Sequence, residues 1–357
     1  MTNYRSLKNA TIELGRLTVV TGPNGSGKSN FYRALELVQA AAIGKFANAL
    51  LEEGGMPSAL WAGRRGKGPV RMGLTTQWDD LSHDLQAGLV PIVPADPPDP
   101  FVLDPEVKEE YVYLGRARKP TTTLAERRGS HAKTATVDGD LRRTLSLRRS
   151  ESLLSQLGEP ALYPELDELQ RRIRGWRFYH QFDTGPTSPI RSPQPGVTTD
   201  ALASSGTDLA AAIATLIFRG DRRALDDAVE QAFPGYRVLV SGDPGIFGVG
   251  LQTKSLLRPL TAQEFSDGQL RFLCLATALL STRPPELLVL NEPETSLHPS
   301  AVVALAPLIK MAAQFSQVWV TTHDESLRDA LADQATISTL ELRSGSTHVT
   351  LYDETHL

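Results

Sequence analysis

Residues 17–42 read LTVVT GPNGSGKS NFYRALELVQAAA, and the middle eight, Gly22 to Ser29, decide the fold. They satisfy Gly-x-x-x-x-Gly-Lys-Ser without a mismatch, the pattern of a loop that cradles phosphates. The glycines let main-chain N–H groups approach phosphate oxygens with no Cβ in the way. Lys28 supplies a cation for the β- and γ-phosphates, and Ser29 a hydroxyl for Mg²⁺. The flanks agree. Leu17–Thr21 is a β-branched apolar run of the kind buried in a parallel sheet. Asn30–Ala42 places Phe31, Leu35 and Val38 on one helical face. Asn24, Gly25, Ser26, Gly27, Lys28, Ser29 and Asn30 are therefore the expected contacts to the phosphates of a nucleotide and its Mg²⁺.

A second segment, LLVLNEPETSLHP from Leu287 to Pro299, looks like the partner of the first. Four apolar residues ending in two polar ones make a buried strand whose C-terminal end carries the chemistry, where ligands bind in open α/β sheets. Glu292 is the candidate for orienting and deprotonating the attacking water. Asn291 stands where an aspartate normally holds Mg²⁺. Its amide carbonyl can accept from a metal-bound water but brings no negative charge, and Mg²⁺ prefers carboxylate and phosphate oxygens. Weaker metal organisation and slow hydrolysis are expected, with Glu294 as a nearby carboxylate that could compensate.

At 357 residues the chain suits one large or two ordinary domains, with ample core. A mean hydropathy of -0.20 is that of a soluble globular protein. The single cysteine, Cys274, excludes an internal disulfide framework. It lies in the apolar run Phe272–Leu280 and reads as a buried thiol. The alternating N-terminus is unlike a signal peptide, and the longest apolar run, Leu209–Phe218, is too short to span a bilayer. A cytoplasmic protein without a membrane partner is expected. The net charge of -4 hides a local bias: Arg116–Arg149 holds ten Lys and Arg against Glu126, Asp138 and Asp140. Such a stretch either contacts a DNA backbone or is a solvated basic loop.

Further strands are expected at Tyr4–Asn9, Thr11–Leu14, Val70–Trp78, Glu110–Leu114, Thr134–Val137, Trp176–Phe182, Arg237–Val240, Gly248–Lys254, Val318–Thr322, Ile337–Arg343 and His348–Tyr352. Helices are expected over Ser150–Arg174 (broken at Gly158 and Pro160), Asp200–Phe218, Asp221–Phe233, Phe272–Leu280, Ser300–Ala313 and Glu325–Ala332. Val90–Pro100, with five prolines, reads as a connector or surface loop. Alternating strands and helices around the phosphate loop indicate an α/β core. The reading is one ATPase domain over 1–357 with a β-rich, basic insertion at about 45–175 and a helical one at about 200–260. No heptad pattern is long enough for an extended coiled coil.

FSDGQLR, Phe265–Arg271, precedes a helix and then the Leu287 strand. There the chain resembles the ABC-type ATPases, whose signature is LSGGQ in that place. The resemblance implies a P-loop NTPase with an ABC-ATPase-like head and an antiparallel β subdomain. It implies that Ser266, Gly268 and Gln269 act on ATP bound to the other subunit of an ATP-driven, head-to-tail homodimer. It makes Gln181, after the strand at Trp176, a contact to Mg²⁺ and water, with Gln77 as rival, and His323, after VWVTT, a contact to the γ-phosphate. The N-terminal stretch from Tyr4 to Asn30 and EPETSLHP, with His298 in the slot where transporter subunits usually carry aspartate, are similar to the RecF/SMC/OLD-like AAA ATPases. That branch implies DNA repair, DNA surveillance or anti-phage defence beside a separately encoded effector or nuclease. The 34 residues after His323 leave no room for the Toprim nuclease of OLD proteins. Two other readings stay open: an ATP-binding switch or DNA clamp that barely hydrolyses, and, less supported, a transporter nucleotide-binding subunit.

Overall fold

The computed structural model describes residues 1–63, 68, 70–89, 100, 101, 103–135 and 141–351, with the main chain alone at 141–144. The chain divides into two compact units. One comprises Met1–Ile12, Pro23–Gly175 and Leu340–Val349; the other comprises Glu13–Gly22, Trp176–Thr339 and Thr350–Leu357.

The second unit is built on parallel strands. Arg177–Tyr179, Leu287–Asn291, Gln317–Thr321, Leu17–Thr21 and the start of Thr336–Arg343, from Thr336 to Thr339, lie side by side in that order. The runs LLVLN and LTVVT are apolar because both sheet faces are covered. The two runs share one parallel sheet, in which Asn291 pairs with Thr321, and Thr321 with Val20. Helices Leu209–Arg219, Arg222–Ala232, Asp267–Leu279 and Pro299–Ala312 contribute to one apolar core with these strands. Cys274 is fully buried in it.

The region expected as a helical insertion is mixed. Residues 200–208 form turns, punctuated by Gly206 at φ 73°, and the first helix starts only at Leu209. The second gives way to strands Tyr236–Ser241 and Ile246–Thr253, which pair antiparallel.

The first unit carries eight strands in the order Leu7–Asn9, Thr2–Tyr4, Arg71–Gln77, Leu81–Leu89, Pro105–Leu114, Thr123–Arg128, His131–Ala135 and Leu141–Ser146, with every pairing antiparallel. Thr11–Leu14, expected as a strand, is not one: the chain passes from one unit to the other after Ile12 and makes no ladder there. The proline-rich stretch lies outside the described residues except for Pro100, and so do Thr136 and Val137 of the expected Thr134–Val137 strand and Tyr352 of the last one.

Beneath the antiparallel sheet runs a buried polar network. Glu110 accepts from His83 Nε2 at 2.8 Å, from Ser152 Oγ and from the Leu153 N–H at 2.8 Å. Arg127, fully buried, donates to the carbonyls of Gly129, Arg148 and Glu151. Burial draws its guanidinium below the usual value, and the charge of Glu110 counters this. Buried charge persists only when paired and hydrogen-bonded, as here.

Candidate active site

The phosphate loop owes its shape to glycine. Gly22, Gly25 and Gly27 have φ of 143°, 79° and 107°, values that residues with a Cβ avoid. Gly27 is also the tightest position: a methyl there would lie 2.1 Å from Thr347 Oγ1 and 2.8 Å from Ser6 Oγ. These two hydroxyls are 2.6 Å apart; Thr347 donates to the Ser26 carbonyl at 2.9 Å, and Asn30 Nδ2 donates to Ser6 Oγ at 2.7 Å. Lys28 opens the helix Lys28–Ala42, and its buried Nζ donates back to the Pro23 carbonyl at 3.0 Å. Asn24, Gly25 and Ser29 are exposed. A Cβ at Gly25 would meet nothing within 4 Å, and Ser26 Oγ is buried without a hydrogen-bond partner. An open glycine turn, a lysine folded into it and an orphaned hydroxyl fit the phosphates of a nucleotide.

At the C-terminal edge of the parallel strands, Asn291 and Thr321 are last in their strands, level with the residues through which the chain enters the loop. Asn291 is buried and both ends of its amide are engaged. Its Oδ1 accepts from Thr321 Oγ1 at 2.5 Å, and its Nδ2 donates to His180 Nδ1 at 2.5 Å. Glu292 follows in a left-handed conformation, φ 48°, an uncommon and costly state for a residue with a Cβ. Its N–H donates to the Thr321 carbonyl at 2.9 Å, and its Oε1 lies 3.0 Å from His323 Nε2. Glu294 turns the other way: its Oε1 accepts from Thr322 Oγ1 at 2.7 Å and from the His323 N–H at 2.9 Å. It anchors the histidine's main chain.

Ser266 caps the helix Asp267–Leu279. Its Oγ accepts from the Gln269 N–H at 3.2 Å, and Gln269 Oε1 accepts from the Ser266 N–H at 2.9 Å, a closed capping box. Gly268 sits where a Cβ would be 2.7 Å from the Ser296 carbonyl. His298 caps the following helix, with the Ser300 N–H donating to its Nδ1 at 3.3 Å. Of the two glutamine candidates, Gln181 is exposed just beyond the Arg177–Tyr179 strand, which pairs in parallel with Leu287–Asn291. Gln77 ends an antiparallel strand of the first unit and donates to the Arg116 carbonyl at 3.0 Å. Ser29 and Gln181 are oxygen donors suited to Mg²⁺; Asn291 already spends its carbonyl on Thr321.

Three contributors leave no motif in the sequence. Arg271 Nη2 donates to the carbonyls of Glu292, at 2.9 Å, and His180, at 3.3 Å. Arg191 joins the 184–191 loop to the segment before the capping box, donating to the carbonyls of Thr184, Ala262 and Phe265 and to Asp267 Oδ1. His180 is tied to Asn291. In the basic stretch, Arg127 is interior, Arg116 pairs with Asp79, Arg148 pairs with Glu151, and the Arg118 guanidinium lies 3.8 Å over the Tyr111 ring. Asp138, Asp140 and the side chains of Arg142 and Arg143 lie outside the described residues. Among the described residues, no helix is long and apolar enough to cross a membrane.

Solved structures give the fold independently. A Smc head bound to the C-terminal winged-helix domain of ScpA aligns over 99% of this chain and 96% of that one, at 14% identity and a TM-score of 0.56. A Smc head with an extended coiled coil, bound to the C-terminal domain of ScpA and derived from Pyrococcus furiosus, aligns over 98% and 94%, at 14% identity and a TM-score of 0.55. The fold is that of a P-loop NTPase with an ABC-ATPase-like head, as the resemblance implied. The model of the family described as "AAA domain, putative AbiEii toxin, Type IV TA system" matches residues 17–74 and 128–329, well over half the chain and spanning loop, capping box, Glu292 and His323. The chain belongs to that family of AAA domains.

Proposed function

We propose that the chain is an ATPase that binds ATP with Mg²⁺ on the loop from Asn24 to Asn30 and hydrolyses it with Glu292 as general base. The observation that carries this reading is the left-handed Glu292 with its carboxylate on His323, at the strand edge from which the phosphate loop departs. Ser29 and Gln181 would hold Mg²⁺, which when bound supplies charge neutralisation on the β- and γ-phosphates. Lys28 adds a cation there. His323 holds the carboxylate of Glu292 and would move to the γ-phosphate as water is deprotonated. Ser266, Gly268 and Gln269 would serve nucleotide held by a second copy, in an ATP-driven, head-to-tail homodimer. DNA repair, DNA surveillance or anti-phage defence with a separate effector is the corresponding role. Exposed arginines of the 116–149 stretch would meet the DNA backbone, with Arg127 excluded by its burial.

The deciding experiment is a steady-state ATPase assay on the wild type and Glu292→Gln, with ATP binding measured in parallel. Turnover lost in the variant with binding retained supports the proposal; equal turnover in both overturns the role of Glu292. A second reading, an ATP-binding switch or clamp with little turnover, is favoured by Asn291, whose amide brings no charge and is engaged on both sides. Wild type that binds ATP without hydrolysing it would select that reading.

A further inference from the structure

Outside glycine, the catalytic edge contains two left-handed residues, Glu292 at φ 48° and Ser296 at φ 64°. They bracket one stretch of chain folded into successive turns. The Thr295 N–H donates to the Glu292 carbonyl at 3.1 Å, and the Leu297 N–H to the Glu294 carbonyl at 3.0 Å. Both strained residues meet the helix Asp267–Leu279, and they meet it three residues apart, on one face. At Gly268 the helix passes so close that a Cβ would sit 2.7 Å from the Ser296 carbonyl. One turn later Arg271 Nη2 donates to the Glu292 carbonyl at 2.9 Å and, with its other N–H, to the His180 carbonyl at 3.3 Å.

Arg271 is an unusual choice for such a position. It is buried, its Nε has no hydrogen-bond partner, and Glu294 Oε2 is likewise buried without one. Burial lowers the guanidinium's pKa, with Glu294 the foremost opposing charge. A buried guanidinium with an orphaned N–H is a costly way to fill space. It is a good way to hold two strand-end carbonyls at a set separation while leaving the Glu292 carboxylate for other work.

We infer that Arg271 is a positioning residue for Glu292. It holds the left-handed turn through the main-chain carbonyl, aims the carboxylate at His323, and thereby links the helix that begins at Ser266 to the general base of the same chain. The inference rests on the reading of Glu292 as that base. A purely structural arginine would lower stability and affect binding and turnover together. A positioning residue affects turnover alone.

The test measures kcat, KM, ATP binding and thermal stability for the wild type, R271A, R271K, E292Q and the R271A/E292Q double variant, with hydrogen exchange of the 292–297 amides. Misplacing a general base costs on the order of 10²-fold in kcat, so R271A is expected to lose that much, with KM and ATP affinity within about twofold and R271K in between. Because both residues act through one carboxylate, R271A is expected to remove less than about threefold from E292Q. Exchange at 292–297 is expected to accelerate in R271A and not in E292Q. A kcat for R271A within about twofold of wild type, a loss of binding that matches the loss of kcat, or multiplicative losses in the double variant would each overturn the inference. If R271A does not fold, R271K carries the same comparisons. If E292Q turns over like wild type, the reading of Glu292 has failed, and faster or unchanged exchange in R271A still decides whether Arg271 holds the turn.

Discussion

Glu292 Oε1 and His323 Nε2 are 3.0 Å apart, so the carboxylate that would take a proton from water is paired with the residue that would meet the γ-phosphate. Each side chain is about one-third exposed (36%), which limits what their attraction adds to stability. The pair sets direction more than it adds strength. Glu292→Gln keeps the shape and removes the base, and general-base loss costs about 10²–10⁴-fold in turnover. Its kcat should fall within that range while ATP binding stays. His323→Ala should cost less, because the base remains. Rapid-quench measurement of product formation checks both.

Asn291→Asp places a carboxylate between Thr321 and His180. Thr321 can still donate to it, and the imidazole can donate from Nδ1 in its other tautomer, so the fold should hold. If hydrolysis is limited by poor Mg²⁺ organisation, the added charge should raise kcat by about tenfold, worth roughly 1.4 kcal/mol of barrier. It should also lower the Mg²⁺ concentration for half-maximal rate. A Mg²⁺ titration of the steady-state rate tests this, and an unchanged profile would show that Asn291 is not the limiting feature.

Gly27→Ala demands both a forbidden φ of 107° and a methyl 2.1 Å from Thr347 Oγ1. Strain of this kind costs on the order of 1–3 kcal/mol. The variant should lose nucleotide binding by calorimetry and melt earlier, and shortening Thr347 to alanine in the same chain should not restore binding, since the φ remains wrong.

Arg191→Ala would leave the buried carbonyl of Phe265 without its donor and that of Ala262 with only the longer bond from the Phe265 N–H, at 3.4 Å. The expected loss is roughly 2–4 kcal/mol in denaturant-induced unfolding. Arg191→Lys should recover only part, since one ammonium cannot span the six acceptors that the guanidinium reaches.

Cys274 should be inert in the native protein. Burial pushes its thiol well above the ordinary value, and the thiolate is the reactive form. Thiol-specific labelling near pH 8 should be negligible until denaturant is added. Rapid labelling of native protein would contradict the packing of the Asp267–Leu279 helix.

The parallel core is the legible part of this chain. Leu17–Thr21 matches its expected span, and the apolar run from Leu287 is the strand Leu287–Asn291, because strands covered on both faces must be largely apolar. The antiparallel sheet is far less legible. Leu81–Leu89 and Thr123–Arg128 give no clear strand signal because their inward positions include His83 and Arg127, which read as surface residues until Glu110 is found between them. The site divides in the same way. Gly27, Lys28, Glu292 and His323 belong to patterns with fixed spacing. Arg191 and Arg271 work by donating to main-chain carbonyls, which have no side-chain identity and leave no pattern to read.

The hydroxyls of Ser6 and Thr347, 341 positions apart, close over Gly27, and both lie outside the matched family segments, 17–74 and 128–329. A fragment trimmed to the matched region would retain every diagnostic motif and lose the clasp on the phosphate loop. If such a fragment failed to bind ATP, the cause would be its cloning boundaries, not a defective enzyme. Tags or fusions close to either end warrant the same suspicion.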